Sequence, residues 1–375
     1  MAVNYNDSEM AKYAKAFNSL CARYAVTSFW WDTNFLIKRE EHQAFRKVID
    51  AIMECYADKK EIGQPDAARI EGAEAAVHNM KVGWNLGNTL DATRYRCAFD
   101  AEKQRWEETL LLTGLGTETC WHMPRTTADM LRFVKELGFH AVRVPVTWIG
   151  HLDEKNTVDP EWMARVRAVA DYVLAQGMYC ILNVHHDGGA SGWVRACETS
   201  YAQFSDRLAA IYGQLAESFA GYDGKLLFEG VNEIIDENAS WSDPSPAASF
   251  WVDRWNQLFV DSIRSSGGRN RERNLIVMGP AAKSSRVALE QFHMPHDTAE
   301  HHLIFEFHNY DPQSFCWPQN KDGSNTGETP FWDDERDSRI LEGVFGTLMS
   351  FAEKINAPMI CGEYAAWPKV IREEG

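Results

Sequence analysis

The chain has 375 residues, of which 45% are hydrophobic, so it is long enough to bury a large core. Its formal net charge is -16 and its pI is about 5.2; such a surface repels nucleic acid and anionic membranes and suits a neutral substrate. No apolar run reaches the length of a transmembrane helix. None of the eight cysteines forms a C-x-x-C pair, which argues against a zinc ribbon or a thioredoxin-type motif.

The amino-terminal segment predicts a helix, a strand, a second helix and a linker. Residues 8–24 have helical periodicity with Ser8 as the N-cap, and residues 25–31 are apolar with high β propensity. Residues 42–56 predict an amphipathic helix. Residues 58–69 are polar and contain Gly and Pro, which is typical of a linker.

From residue 80 onward, strand and helix patterns alternate regularly. Each predicted strand is nearly all apolar, as expected when both faces of a parallel sheet are buried. The seven strands begin near residues 82, 139, 178, 225, 274, 302 and 358. A closed (β/α)8 barrel needs eight strands, and the apolar stretch at residues 25–31 supplies the missing one.

The element order therefore predicts an α/β fold, namely a circularly permuted (β/α)8 TIM barrel that forms a single domain over residues 1–375. Residues 1–57 would be helix 7, strand 8 and helix 8, residues 58–69 would join the ordinary termini, and residues 70–375 would hold strands 1 to 7. Such a join costs little because barrel termini lie close in space. The alternative is a separate amino-terminal helical subdomain beside an open seven-stranded barrel.

Two glutamates, Glu233 and Glu363, stand at the ends of apolar strands, and the active site of a TIM barrel lies at that edge. A glycosidase needs one carboxyl to protonate the leaving oxygen and a second to attack the anomeric carbon or to direct water to it. Arg and His donors keep the attacking carboxylate ionised. The other polar and aromatic side chains at strand ends are Asn85, Asn88, Arg143, His185, His186, Asn232, His308, Tyr310, Trp30 and Trp31.

The motifs at these strand ends resemble glycoside hydrolase family 5, and they are most similar to the endoglucanases and xyloglucanases of its subfamily 4. The resemblance covers essentially the whole chain, with the motifs in permuted order. It implies a retaining endo-β-1,4-glucanase of the cellulase type that acts on β-glucan chains by double displacement. The motifs are FWWD at residues 29–32, GWNLGNTLD at 83–91, VRVP at 142–145, NVHH at 183–186, VNE at 231–233, HNY at 308–310 and GE at 362–363.

The resemblance also implies roles for individual residues. Glu233 would be the acid/base and Glu363 the nucleophile, which Arg143 and Tyr310 would hydrogen-bond. Trp30 would be the sugar platform of the cleavage subsite, with Trp31 as the second choice. The remaining supporting residues would be Asn88, His185, His186, Asn232 and His308. The chain departs from the family pattern in its element order and in having Asn309 within the HNY motif.

Two loop tryptophans and two glutamates within strands have surroundings that suggest different roles. Trp193 and Trp317 lie in loops over the barrel mouth and are expected to be further sugar platforms, with core packing as the alternative. Glu229 and Glu306 lie within strands and are expected to be network residues, partnered by Lys225 or a nearby histidine.

The pair His185 and His186 invites a metal site. Neighbouring strand residues point to opposite sides of a sheet, however, so the two rings are not expected to share one ion. No metal and no other cofactor is therefore expected.

The resemblance implies a β-1,4-linked polysaccharide or oligosaccharide as the binding partner, with no nucleic acid and no membrane, and it favours a monomer. It also implies secretion, although the first residues contain no basic or apolar region of a signal peptide. A xylanase or mannanase on the same scaffold and an inactive carbohydrate-binding barrel are the alternatives. In the permuted order, residues 2–7 and 364–375 are expected to fray as tails at the active-site rim.

Overall fold

The computed structural model describes residues 5–62, 70–100, 105–317 and 328–371. Two short 3-10 helices lie at Gly114–Thr119 and Gly268–Arg271. The elements within those ranges are, in chain order, α1 (Asp7–Arg23), β1 (Thr27–Asp32), β2 (Ile37–Lys38), β3 (Gln43–Ala44), α2 (Arg46–Glu54), α3 (Ala73–Met80), β4 (Val82–Leu86), β5 (Tyr95–Asp100), β6 (Arg105–Leu110), α4 (Ala128–Glu136), β7 (Ala141–Val144), α5 (Pro160–Ala175), β8 (Tyr179–Val184), α6 (Glu198–Ser218), β9 (Leu226–Val231), α7 (Pro246–Ser265), β10 (Leu275–Lys283), α8 (Arg286–Gln291), β11 (Leu303–His308), α9 (Gln313–Cys316), α10 (Arg336–Ile355) and β12 (Met359–Tyr364).

Eight parallel strands close into a barrel in the order β1-β12-β11-β10-β9-β8-β7-β4. The strand from the amino-terminal segment completes the ring, because Ser28 lies opposite Cys361 on one side and opposite Val82 on the other. The predicted (β/α)8 barrel is therefore confirmed, and the alternative of an open seven-stranded barrel is wrong.

The side chains of β1 alternate between the two faces of the sheet, as the period of a strand requires. Ser28 points outward and donates a hydrogen bond to Asn18 of α1. Phe29 points inward and joins the interior apolar cluster with Ile181 and Ile360. Its ring lies so close to Gly83 of β4 that a Cβ at that position would be 2.2 Å from it. The strand thus packs into the lumen and into the helix layer at once.

Helix α3 closes the end of the barrel where the strands begin. Val77 of α3 lies in the interior cluster, and its carbonyl accepts a hydrogen bond from the Thr27 hydroxyl. The chain that leads toward α3 is tied to it, since the Ile62 N–H donates to Asn79 Oδ1 at 2.9 Å. Residues 63–69 of the predicted linker lie outside the described residues.

Local details differ from the sequence predictions at three places. Helix α1 begins at Asp7, and Ser8 is therefore not its N-cap. Helix α2 begins at Arg46 because the preceding residues form the small hairpin of β2 and β3. The predicted loop between β4 and α4 contains the hairpin of β5 and β6. Among the helices within the described ranges, none has the length and apolar character needed to cross a bilayer.

The two segments expected to fray are joined to each other. Tyr5 and Val370 form an antiparallel bridge. The Asn6 N–H donates to the Lys369 carbonyl at 3.0 Å, and the Lys369 N–H donates to Asn6 Oδ1 at 2.8 Å. The expectation of fraying is therefore wrong for residues 5–7 and 364–371, because backbone pairing satisfies their polar groups. Residues 2–4 and 372–375 lie outside the described residues.

Candidate active site

The two predicted catalytic carboxylates meet at the carboxyl ends of the strands. Glu363 is the fifth residue of β12, and Glu233 follows β9 by two residues. A carboxylate oxygen of each, together with a ring nitrogen of His308, lies within 4.8 Å of the others. Glu233 has a positive φ of 47°, a strained backbone conformation for a residue with a side chain. The fold therefore holds both carboxylates over one small volume.

Glu363 is almost completely buried and is held at both oxygens. Arg143 Nη1 donates to its Oε1 at 2.7 Å, and the Tyr310 hydroxyl donates to its Oε2 at 2.8 Å. Burial alone would raise the pKa of Glu363, but the positive charges of His308 and Arg143 and these hydrogen bonds lower it below its usual value. The carboxyl is thus kept ionised, as a nucleophile requires.

Glu233 is more exposed and is bound by His308. His308 Nδ1 lies 2.8 Å from Glu233 Oε1, and His308 Nε2 lies 3.3 Å from Glu306 Oε1. Burial would lower the pKa of His308, but the charge of Glu363 and the hydrogen bonds to Glu233 and Glu306 raise it to about 10. His308 is therefore an imidazolium at neutral pH, and both of its ring nitrogens donate.

Arg143 of β7 is the centre of the buried network beneath the cleft. Its Nε and Nη2 donate to the two oxygens of Glu229, each at 2.7 Å, and Nη2 also donates to Asn232 Oδ1 at 2.7 Å. Its Nη1 donates to Asn85 as well as to Glu363. Asn232 is therefore tied to the guanidinium that also holds Glu363, and it is not among the residues that line the cavity.

Glu229 and Glu306 are network residues. Of the two predicted partners Lys225 is wrong, whereas a nearby histidine, His308, does contact Glu306. The Lys225 ammonium donates to the Gly177 carbonyl at the surface. Arg143 instead pairs with both carboxylates, with Nε 3.4 Å from Glu306 Oε1. Burial raises the pKa of Glu229 to about 7, and the like charge of Glu306 adds to the rise. The positive charge of Arg143 opposes it.

Glu306 reaches this network because β12 carries a glycine next to Glu363. A Cβ at Gly362 would lie 1.5 Å from Glu306 Oε1, so any side chain there would force the Glu306 carboxylate to move. Glu306 Oε2 has no hydrogen-bond partner among the described residues, although it is buried. The position of Glu306 is thus fixed by packing against the β12 backbone.

His185 and His186 lie beyond the end of β8, and both rings face the same side. Their ring centroids are 4.6 Å apart, and each offers a nitrogen within 4.8 Å of an Asp91 oxygen. The argument that strand alternation separates them is therefore wrong, because β8 ends at Val184. Asn183 donates to His185 Nδ1 at 3.0 Å, while burial lowers the pKa of His185 well below its usual value, so this ring is neutral.

Trp31, and not Trp30, faces the cleft. Trp30 is 2% exposed and packs edge-on against Tyr364 beneath α1, because it points to the same face of β1 as Ser28. Trp31 points the other way, lines the cavity above the carboxylates and stacks on His185 with ring centroids 5.4 Å apart. The assignment of Trp30 as the sugar platform is therefore wrong.

A cavity of about 850 Å³ opens above the two carboxylates. One wall is aromatic: Trp317, which is 41% exposed, stacks on Trp367 with ring planes 7° apart, and Tyr310 packs against both. Trp193 is not among the lining residues. Its indole N–H donates to Asp187, and its ring packs on Phe204, so it serves the loop after β8.

Asn88 also lies away from the cavity lining. It has a positive φ of 61°, and its N–H donates to Asp91, so it shapes the turn after β4. Sequence reasoning missed Trp367, which lines the cavity, and the strip of residues 281–286 along its edge. Trp241, a loop tryptophan whose place in the chain favours stacking over core packing, also lines the cavity. The position of Trp367, four residues after Glu363, is a signal that it could lie near the site. The sequence does not show, however, whether the chain after β12 turns toward the cavity or away from it.

The profile described as Cellulase (glycosyl hydrolase family 5) matches residues 104–369. This chain belongs to glycosyl hydrolase family 5, whose members are glycoside hydrolases. Endoglucanase A of Clostridium longisporum is 30% identical over 302 residues, which make up 80% of this chain and 54% of that protein. The present chain thus spans about half the length of that relative.

Solved structures give the same picture. The family 5 glycoside hydrolase of Prevotella bryantii B14 has a TM-score of 0.68 and 38% identity, with 79% of this chain and 78% of that chain covered. A mutant of that enzyme was crystallised with a xyloglucan tetradecasaccharide. A subfamily 4 broad specificity endoglucanase from Ruminococcus champanellensis, with bound cellotriose, has a TM-score of 0.68 and 33% identity, with 80% and 81% covered.

Replacing Glu306 by Gln should lower the pKa of His308 by about one unit, since a hydrogen bond to a charged group is worth about 1.5–3 kcal/mol, or about 1–2 pKa units. Because the folded pKa of His308 lies above that of the unfolded chain, its stabilising contribution is complete below about pH 6.5 and is lost as the pH rises toward about 10. In the variant the contribution should be smaller, and its loss should be complete at a lower pH. NMR titration of His308 measures the shift.

The matched control for this titration is Asp253→Asn, which removes the carboxylate beside the exposed His293 and should leave the pKa of His308 unchanged. An unchanged pKa of His308 in Glu306→Gln would contradict the assigned contact between the two side chains.

Proposed function

We propose that this chain is a retaining endo-β-1,4-glucanase that cleaves β-glucan chains by double displacement. The observation that carries the proposal is the approach of Glu233 and Glu363 to within 4.8 Å. Retaining glycosidases hold their carboxyl groups about 5–5.5 Å apart, whereas inverting enzymes leave about 6.5–9.5 Å for a water molecule. The separation therefore supports a covalent glycosyl-enzyme intermediate.

In the proposed first step, a Glu363 oxygen bonds to the anomeric carbon while the glycosidic bond breaks, and Glu233 gives its proton to the leaving oxygen. In the second step Glu233 takes a proton from water, the resulting oxygen nucleophile attacks the same carbon, and Glu363 departs. Arg143 and Tyr310 hold Glu363 ionised and oriented. His308 fixes the Glu233 carboxyl through its hydrogen bond.

The aromatic surfaces of the cavity support a polysaccharide substrate. Trp31 presents a ring above the carboxylates, and Trp317 with Trp367 extends the aromatic surface along the wall. Planar rings of this size cover the apolar faces of glucose units. The names of the relatives favour cellulose, mixed-linkage glucan or xyloglucan, and membership of subfamily 4. Xylan and mannan are the alternative substrates.

We further propose that the element order is a circular permutation of the family's barrel within a single domain. In support, β1 fills the position between β12 and β4 that the eighth strand of a barrel occupies. The family profile matches residues 104–369, which leaves β1 outside the matched region. A polymeric substrate favours an extracellular location, and a monomeric state stays a prediction.

The Glu363→Gln and Glu233→Gln variants should each lose hydrolytic rate by at least about a thousandfold while keeping the fold, because each removes a group that acts on the reacting atoms. The exposed Glu237→Gln is the matched control. Reducing ends released from cellulose, mixed-linkage glucan, xyloglucan, xylan and mannan give the rates and rank the substrates. Full activity of either active-site variant, or an inverted product in proton NMR, would refute the mechanism.

Trp31→Ala and Trp30→Ala should separate binding from stability. Trp31→Ala should raise KM for the best polysaccharide and leave unfolding nearly unchanged, because its ring faces the cavity. Trp30→Ala should lower the free energy of unfolding by about 3–5 kcal/mol, because it empties a buried site. Initial rates and urea unfolding measure the two effects, and the opposite pattern would restore Trp30 as the platform.

Moving residues 5–62 behind residue 371 through a short linker would restore the family's usual order. If the permutation proposal holds, the reordered chain should fold with the same circular dichroism and retain polysaccharide hydrolysis, since β1 would still pair with β12 and β4. An insoluble or inactive reordered chain would count against the proposal.

A further inference from the structure

The chain after β12 carries part of the cavity wall. We call residues 365–371 the strap. Within it, the Trp367 N–H donates to the Cys316 carbonyl at 3.0 Å, and the Trp367 ring stacks on Trp317. Trp367 also packs against Tyr310, whose hydroxyl donates to Glu363. The path of the strap therefore decides where one aromatic face of the cleft stands.

Asn6 holds the strap from the other end of the described chain. Its N–H and Oδ1 pair with the carbonyl and N–H of Lys369, and its Nδ2 donates to the Pro330 carbonyl at 2.9 Å. The residue is 1% exposed; these three hydrogen bonds are directed to other segments of the chain, and its carbonyl accepts a fourth from the Met10 N–H of α1. Asn6 thus joins the strap to the loop before α10 without being part of either.

Lys369 anchors the strap through a buried ammonium that contacts Phe315. Its side chain is buried, its ammonium donates to the Phe315 carbonyl and lies 5.0 Å above the Phe315 ring, and no carboxylate within the described residues forms an ion pair with it. Burial of an ammonium without an ion-pair partner opposes folding. Its placement beneath the strap therefore contributes position rather than stability.

We propose that Asn6 and Lys369 form a clasp that positions Trp367, and with it the aromatic wall, so that affinity for the polysaccharide depends on contact between the segment before α1 and the strap. Both are positioning residues, since neither lines the cavity. The inference rests on the proposed function for the identity of the ligand. The clasp itself follows from the hydrogen bonds.

The Asn6→Ala variant removes two of these hydrogen bonds and leaves no buried charge behind. We expect KM for the best polysaccharide to rise about five- to tenfold, since each lost bond weakens the clasp, with kcat changed less than about twofold because Glu233 and Glu363 stay in place. Hydrogen exchange of the strap amides should speed up in the same variant. Lys369→Met should act in the same direction, and Lys15→Met, an exposed lysine of α1 paired with Glu54, is the matched control.

Rescue distinguishes positioning from a general structural role. In the reordered chain, where a linker joins residue 371 to residue 5, backbone continuity replaces the clasp, and Asn6→Ala should change KM less than about twofold. An equal rise of KM in both chain orders would overturn the proposal. So would faster exchange of the strap with unchanged KM.

Calorimetric binding of cellohexaose separates this proposal from the proposed function. If the wild-type chain binds cellohexaose but hydrolyses no polysaccharide, and Asn6→Ala binds cellohexaose more weakly, the glucanase is refuted and the clasp is kept. Normal hydrolysis with unchanged cellohexaose affinity in Asn6→Ala would keep the glucanase and refute the clasp.

Discussion

The buried charge of Arg143 is the constraint on which the rest of the site depends. Among the described residues, the carboxylates of Glu229, Glu233, Glu306 and Glu363 are paired with two cations, Arg143 and His308. Arg143 donates to Glu229 and Glu363 at once, and its planar guanidinium permits this because its donors form a rigid fork. Lysine offers one point charge and cannot hold two carboxylates and an amide in fixed directions. Arg143 thus adds to the charge of His308 in keeping Glu363 ionised, and it fixes the direction of that carboxylate.

Much of the barrel could be predicted because its strands are apolar on both faces and its helices alternate with them. The same pattern brought Glu233, Glu363, Arg143 and Tyr310 together, since parallel strands end at one edge. The sequence alone was sufficient to place Trp30 on the outer face of the barrel. Phe29 is apolar and belongs inside the barrel, so strand alternation places Trp30 outside and Trp31 at the mouth.

Other features could not be predicted because they depend on side-chain approach between distant segments. The sequence predicted Lys225 or a nearby histidine as the partner of Glu306, and only the structure shows that it reaches both Arg143 and His308. Trp193 sits in a loop of the expected kind, yet a hydrogen bond to Asp187 turns it away from the cavity. Such contacts decide which way a loop side chain points, and the hydrophobic periodicity of the sequence does not predict them.

The missing side chain at Gly362 has a consequence for how this sequence can change over evolutionary time. Glu306 extends into the space that a Cβ at position 362 would occupy, so a side chain there would displace the carboxylate. A lineage that keeps the Glu306 carboxylate in this position is confined to glycine beside Glu363. A lineage that first replaces the carboxylate by a small residue becomes free to substitute position 362.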